Sequence, residues 1–239
     1  MTGILYGVGV GPGDPELLTL KAARIIGETP VVAAPIAKAG AESYALSIVS
    51  ALLRPEQTVL ELLFPMVKEA AAKQAHRQAA AQAIVAELLA GRDVAFLTEG
   101  DPLLHSTFIY VLQYLPDDAP VEVVPGVSSI MAAAAQARLP LVNADQRLAV
   151  IPTTFERLAD LRQIFRDFDT VVLLKFHRLF EPLLDLLDEL GLSRQTVLVE
   201  RASHPAGRVV RDIRSLRGQS IHYLSLLIVP TNSLSGGDW

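Results

Sequence analysis

Apolar positions along the chain switch repeatedly between two rhythms. Short, nearly uninterrupted apolar runs at 4–10, 31–35, 58–63, 93–98 and 121–124 read as buried strands. Between them, apolar residues recur at three- and four-residue spacing over 15–26, 43–53, 68–89, 103–115 and 128–137, which predicts helices. The second half continues the alternation, with strands over 148–151, 170–175, 196–200 and 221–229 and helices over 155–165, 180–190 and 210–216. Strands alternating with helices predict an α/β chain of two α/β domains with largely parallel or mixed sheets. The turn-rich segment Leu115-Pro116-Asp117-Asp118-Ala119-Pro120 is the best boundary, giving domains 1–116 and 117–239. The stretch 231–239 is polar and Gly-containing and reads as a frayed tail.

Composition narrows this picture. The 239 residues are 51% hydrophobic with a mean hydropathy of +0.35, yet no apolar run approaches the ~20 residues of a membrane span. The surplus is expected in buried strands, Ala-rich helices or a subunit interface. The N-terminus lacks a basic segment and already reads as a strand, which argues against a signal peptide. The absence of cysteine removes disulfides, thiolate metal sites and a cysteine nucleophile, and fits a cytoplasmic protein. A net charge of −5 with no basic stripe argues against nucleic acid as a partner. Arginines gather only late, at Arg194, Arg201, Arg208, Arg211, Arg214 and Arg217. They are either a solvated face or a place for substrate carboxylates.

Candidate chemistry lies in loops that follow strands, since ligands of open α/β sheets gather at the carboxyl ends of strands. In the first loop, Gly7, Gly9, Gly11 and Gly13 interrupt the strand before Asp14. A dinucleotide fingerprint does not fit, because Asp14 or Pro12 falls where the third glycine belongs. Pro12 has no N–H for a phosphate, and Asp14 would repel an anion although it suits a helix cap. The second loop, Thr98-Glu99-Gly100-Asp101-Pro102, is acidic, and His105 follows it closely. The third, Pro125-Gly126-Val127-Ser128-Ser129, brings hydroxyls and N–H groups to a helix start. The fourth ends a strand with Leu174, Lys175 and His177, and a later strand runs into Arg201-Ala202-Ser203-His204. Phosphate-loop, serine-hydrolase and zinc-protease motifs are absent from the sequence.

Taken together, GVGPGDPELLTLKA, the EGDP and PGVSS segments and the Leu174 strand end resemble the S-adenosylmethionine-dependent tetrapyrrole (corrin/porphyrin) methyltransferases over roughly residues 3–230. Leu60–Met66, reading LELLFPM, is similar to a segment of the precorrin-2 C20-methyltransferases within that family. The resemblance implies an active site in a cleft between the domains. It implies S-adenosyl-L-methionine as co-substrate, bound by Pro12, Glu99, Gly100, Asp101, Leu104, Ser128, Ser129, Leu174 and Ala202. It further implies a small tetrapyrrole as substrate, near Asp14, Phe64, Met66, Lys175 and His177, with no metal ligands, and a homodimer. The implied reaction methylates C20 of precorrin-2 or its cobalt-bearing counterpart. The base that takes the C20 proton is unassigned, with Glu99, Asp101 and His105 as candidates. The alternatives are methylation of another precorrin or uroporphyrinogen carbon, or a protein that binds tetrapyrroles without turning them over.

Overall fold

The computed structural model describes residues 3–67, 69–153 and 158–232, and it divides into two compact units, 1–128 and 129–239.

The first unit holds a five-stranded, wholly parallel sheet in the order β3-β2-β4-β1-β5. Its strands are β1 (Leu5–Gly9), β2 (Val31–Ile36), β3 (Thr58–Leu63), β4 (Val94–Thr98) and β5 (Val121–Val124). Its helices are α1 (Leu20–Glu28), α2 (Tyr44–Val49), α3 (Ala70–Leu89) and α4 (Phe108–Leu112). Both faces of the sheet are covered at its centre, so β2 and β4 are buried and apolar at nearly every position, whereas the edge strands β3 and β5 carry Glu61 and Glu122. Val94 and Phe96 of β4 pack toward α3 and α4, while Ala95 and Leu97 pack toward α1 and α2. The topology explains this division. Connections running toward β3 use α1 and α2 on one face, and those running back toward β5 use α3 and α4 on the other. Keeping every crossover right-handed requires this change of face when the direction reverses. The direction of the connections reverses around β1 and β4, and the loops that follow these strands lie at the carboxyl edge of the sheet.

The second unit has a mixed sheet in the order β6-β7-β10-β8-β9. β6 (Leu148–Pro152) and β7 (Thr170–Leu174) are parallel. β10 (Ser225–Pro230) runs antiparallel between β7 and β8 (Val197–Glu200), and β9 (Arg208–Val210) closes the edge. The helices are α5 (Ser129–Ala137), α6 (Leu161–Asp167) and α7 (Phe180–Glu189). Leu161 and Phe165 of α6 and Leu183, Leu184 and Leu187 of α7 bury one face of the sheet with Val171, Leu173, Leu198 and Leu227. α5 packs against β8 and β10.

The observed elements differ from the expected ones in several places. The helix expected over 15–26 is a single 3-10 turn, Pro15–Leu17, followed by a break; Thr19 then caps α1 by accepting from the Ala22 N–H at 3.1 Å. The helix expected over 103–115 shrinks to α4, because Asp101 turns the chain back on itself and His105 takes a left-handed φ of 56°. The segment 210–216 splits into β9 and a 3-10 turn, Ile213–Leu216. In the second half, α6 begins only at Leu161, and the start expected at 155 lies outside the described residues, as do Lys68 and the tail beyond 232. β5, which follows the Pro116–Pro120 turn, pairs with β1, so it joins the first unit and the division between units falls at 128/129.

Candidate functional site

At the carboxyl edge of the first sheet, three loops meet backbone to backbone. The Val10 N–H donates to the Thr98 carbonyl at 2.9 Å, and the Gly100 N–H donates to the Gly11 carbonyl at 2.8 Å, so the loops after β1 and β4 form a short antiparallel bridge. The loop after β5 packs against both. A Cβ on Gly9 would lie 2.5 Å from the Gly126 nitrogen and 2.6 Å from the Gly100 carbonyl oxygen. A Cβ on Gly126 would overlap that same oxygen and lie 2.7 Å from the Gly9 Cα. The glycines are therefore required by close approach of main chains, not by a phosphate. Gly100, at φ 68°, makes the turn that brings Asp101 into place.

Asp101 spends its carboxylate on main-chain donors. Oδ1 accepts from the Leu103 N–H at 2.9 Å, and Oδ2 accepts from the Gly126 N–H at 3.1 Å. The neighbouring Glu99 is at the surface, and partial loss of hydration raises its carboxyl pKa above 4.5. Behind it the chain is anchored by buried hydroxyls: Thr98 Oγ1 and Ser106 Oγ lie 3.4 Å apart, and Ser106 Oγ accepts from the Phe108 N–H at 2.9 Å. Leu104 and His105 are exposed. Pro12 is buried, and its carbonyl accepts from the Tyr44 hydroxyl at 3.2 Å, a partner the sequence did not single out. Asp14 caps the 3-10 turn by accepting from the Glu16 N–H at 2.9 Å. Ser128 is half-buried just past Gly126. Of the LELLFPM residues, Phe64 packs edge-on against Phe96 at a centroid distance of 6.3 Å, whereas Met66 is 72% exposed.

The second unit has its own polar edge. Strand register puts Thr153, Lys175, Ser225 and Glu200 in one row at the carboxyl ends of β6, β7 and β8 and the start of β10. Thr153 Oγ1, Ser225 Oγ and His177 Nδ1 are buried atoms without a hydrogen-bond partner among the described residues. Buried polar groups almost always find partners, so this edge is suited to a ligand or ordered water. Lys175, Arg201 and Ser203 have φ values of 59°, 48° and 64°, a concentration of left-handed backbone on side-chain-bearing residues that is typical of functional edges. Leu174 is half-buried at the end of β7, Lys175 is exposed, and Ala202 is buried after β8. The His177 ring stands edge-on to Tyr223 at 5.3 Å, and burial together with the Arg178 charge lowers its pKa. Ser129 opens α5, half-buried. Thr153, Ser225 and Tyr223 escaped the sequence reading because only strand register reveals that they adjoin Lys175 and His177.

Five of the six late arginines make polar contacts within the second unit. Arg208 pairs with the buried Glu200, Arg214 with Asp212, and Arg217 with Glu181, Asp185 and Asp188. Arg211 donates to the Ala137 carbonyl at 2.6 Å, and Arg201 to the His222 ring at 3.1 Å. Lys175 adds an exposed cation on the polar row.

The first edge, with Glu99, a proline without an N–H and tight glycine contacts, fits a small cationic ligand better than a nucleotide diphosphate. Among the described residues, no helix is long and apolar enough to cross a membrane. The profile described as Tetrapyrrole (Corrin/Porphyrin) Methylases matches residues 4–215. The chain is 36% identical over 230 residues to a cobalt-precorrin-2 C(20)-methyltransferase of Salmonella typhimurium, covering 96% of this chain and 97% of the relative. It is 35% identical to a precorrin-2 C(20)-methyltransferase of a Sinorhizobium species, covering 95% of each. Among solved structures, a uroporphyrin-III C-methyltransferase of Thermus thermophilus complexed with S-adenosylhomocysteine is similar at a TM-score of 0.66 and 28% identity, over 95% of this chain and 92% of the other. Near full-length likeness in sequence, joined to the same architecture, makes this chain a member of the tetrapyrrole (corrin/porphyrin) methylases.

Proposed function

We propose that the protein methylates C20 of precorrin-2, or of its cobalt-bearing counterpart, using S-adenosyl-L-methionine. The observation that carries this reading is the end-to-end similarity to two relatives named for C20 methylation, with no large insertion or loss of chain. S-Adenosylmethionine supplies a methyl group already made electrophilic by the sulfonium. The reaction forms a carbon–carbon bond at C20, breaks the sulfur–methyl bond and releases the C20 proton. The protein's task is then alignment, worth on the order of 7–11 kcal/mol at most, and acceptance of that proton.

In this reading Pro12, Glu99, Gly100, Leu104 and Ser128 of the first unit, and Ser129, Leu174 and Ala202 of the second, hold the co-substrate. Asp14, Phe64, Met66, Lys175 and His177 face the tetrapyrrole, with Lys175 answering a carboxylate. Glu99 takes the proton: its raised pKa makes it a stronger base than an ordinary carboxylate, and it is exposed where Asp101 is tied down. The enzyme works as a homodimer in the cytoplasm, a reading supported by its hydropathy and its lack of cysteine.

The test is incubation with the co-substrate and either metal-free or cobalt-bearing precorrin-2, followed by mass spectrometry and NMR of the product. A gain of one methyl at C20 is the expected result. Methylation at another carbon would overturn the assignment of position, and binding without turnover would overturn that of activity.

A further inference from the structure

We propose that Asp101 is a positioning residue that latches the loop after β5 to the loop after β4, and that it sets co-substrate affinity through this main-chain connection rather than by facing the ligand's positive charge. The inference deepens the function proposed above and rests on it.

Both Asp101 oxygens are engaged by N–H groups of the protein, one within its own turn at Leu103 and one 25 residues away at Gly126. The second bond joins two loops at the point where they are packed most closely. The Gly126 nitrogen occupies the space that a Cβ on Gly9 would need, so the residue that carries the donor cannot move toward another acceptor on that side. Ser128 lies two residues beyond, and its position follows from where Gly126 is held. A carboxylate is suited to this task because it offers an acceptor to each of two converging N–H groups. An asparagine has one acceptor oxygen, and its amide N–H group would confront one of the two donors. An N–H left unpaired in a partly buried junction costs as much as a lost hydrogen bond to a charged group.

The test compares the full chain with Asp101→Asn and Asp101→Ala, titrated with S-adenosylmethionine, S-adenosylhomocysteine and desamino-S-adenosylhomocysteine. A latch predicts that all three ligands lose affinity by the same factor, about tenfold in Asp101→Asn. A carboxylate paired with the sulfonium would instead cost S-adenosylmethionine more than S-adenosylhomocysteine. One paired with the amino group would cost S-adenosylhomocysteine more than its desamino analogue. Either unequal loss overturns the proposal. Amide hydrogen exchange gives a second readout: the Gly126 N–H is expected to be protected in the unmodified protein, which needs no variant, and to exchange at least about tenfold faster in Asp101→Asn. An unprotected Gly126 N–H in the unmodified protein overturns the latch even if both variants fail to fold. Failure of the unmodified protein to bind any of the three ligands would instead sink the proposed function.

Discussion

At the scale of single residues, two side chains carry distinct proton chemistry. Glu99 is raised by desolvation, so it becomes protonated at a higher pH than an ordinary glutamate. If it accepts the C20 proton, kcat/KM falls as acidification passes through a pKa above 4.5, and Glu99→Gln loses both most of the rate and that acid limb. A pH–rate profile of the two proteins checks this; an unchanged acid limb in Glu99→Gln would assign the base elsewhere. His177 is shifted the other way, by burial first and the Arg178 charge second. Its folded pKa lies below the ordinary 6.5, so the unfolded chain binds more protons between those two values. Its contribution is therefore benign above pH 6.5 and destabilising as pH falls from there through the folded pKa. Denaturant titrations at pH 7.5 and 5.5 are expected to show a smaller acid loss in His177→Gln than in the parent, and NMR titration of the ring gives the pKa directly. Glu200 illustrates the opposite balance. Burial alone would raise its pKa, but the bonds from Arg208 and the His222 N–H outweigh this and hold it down.

At the scale of elements, the loop junction makes a sharp prediction. Gly126→Ala forces a methyl group onto a carbonyl oxygen of a neighbouring loop, with no flexible side chain to yield. The expected loss is about 1–3 kcal/mol of stability together with co-substrate affinity. Gly27, inside α1, has nothing within 4 Å of its missing Cβ. Gly27→Ala is expected to leave binding unchanged and to stabilise by about 0.4–1 kcal/mol, measured by thermal and denaturant unfolding. The elements themselves were largely legible in the sequence. Fully buried strands such as Val94–Thr98 announce themselves as unbroken apolar runs, and α3 and α7 as helical spacing. Reading failed where one side chain redirects the backbone. The helix expected from Leu103 is displaced to Phe108 because Asp101 bonds forward and His105 turns left-handed. It failed as well wherever the relevant neighbour is distant in sequence. β5 pairs with β1 more than a hundred residues away, and Thr153 and Ser225 become a polar row only through β7, which lies between them. The loop motifs were visible; that their glycines touch one another was not.

At the scale of the molecule, the proposed homodimer is checked by light scattering, where twice the 25.8 kDa subunit mass is expected and a single subunit mass would contradict it. Each unit reaches its polar edge by different means. In the first, a parallel sheet with helices on both faces brings β4, β1 and β5 side by side, so that the loops leaving them are neighbours by topology alone. In the second, an antiparallel strand between β7 and β8 brings the start of one strand beside the ends of others. The first solution has a bearing on attempts to redirect the enzyme toward other macrocycles. Its junction is made of main chain and the Asp101 latch, so it carries no record of which substrate is accepted. A mutagenesis library can vary the exposed Met66 and Lys175 broadly while leaving Gly9, Gly100, Asp101 and Gly126 untouched. Selectivity and the ability to hold a methyl donor would then be adjustable independently.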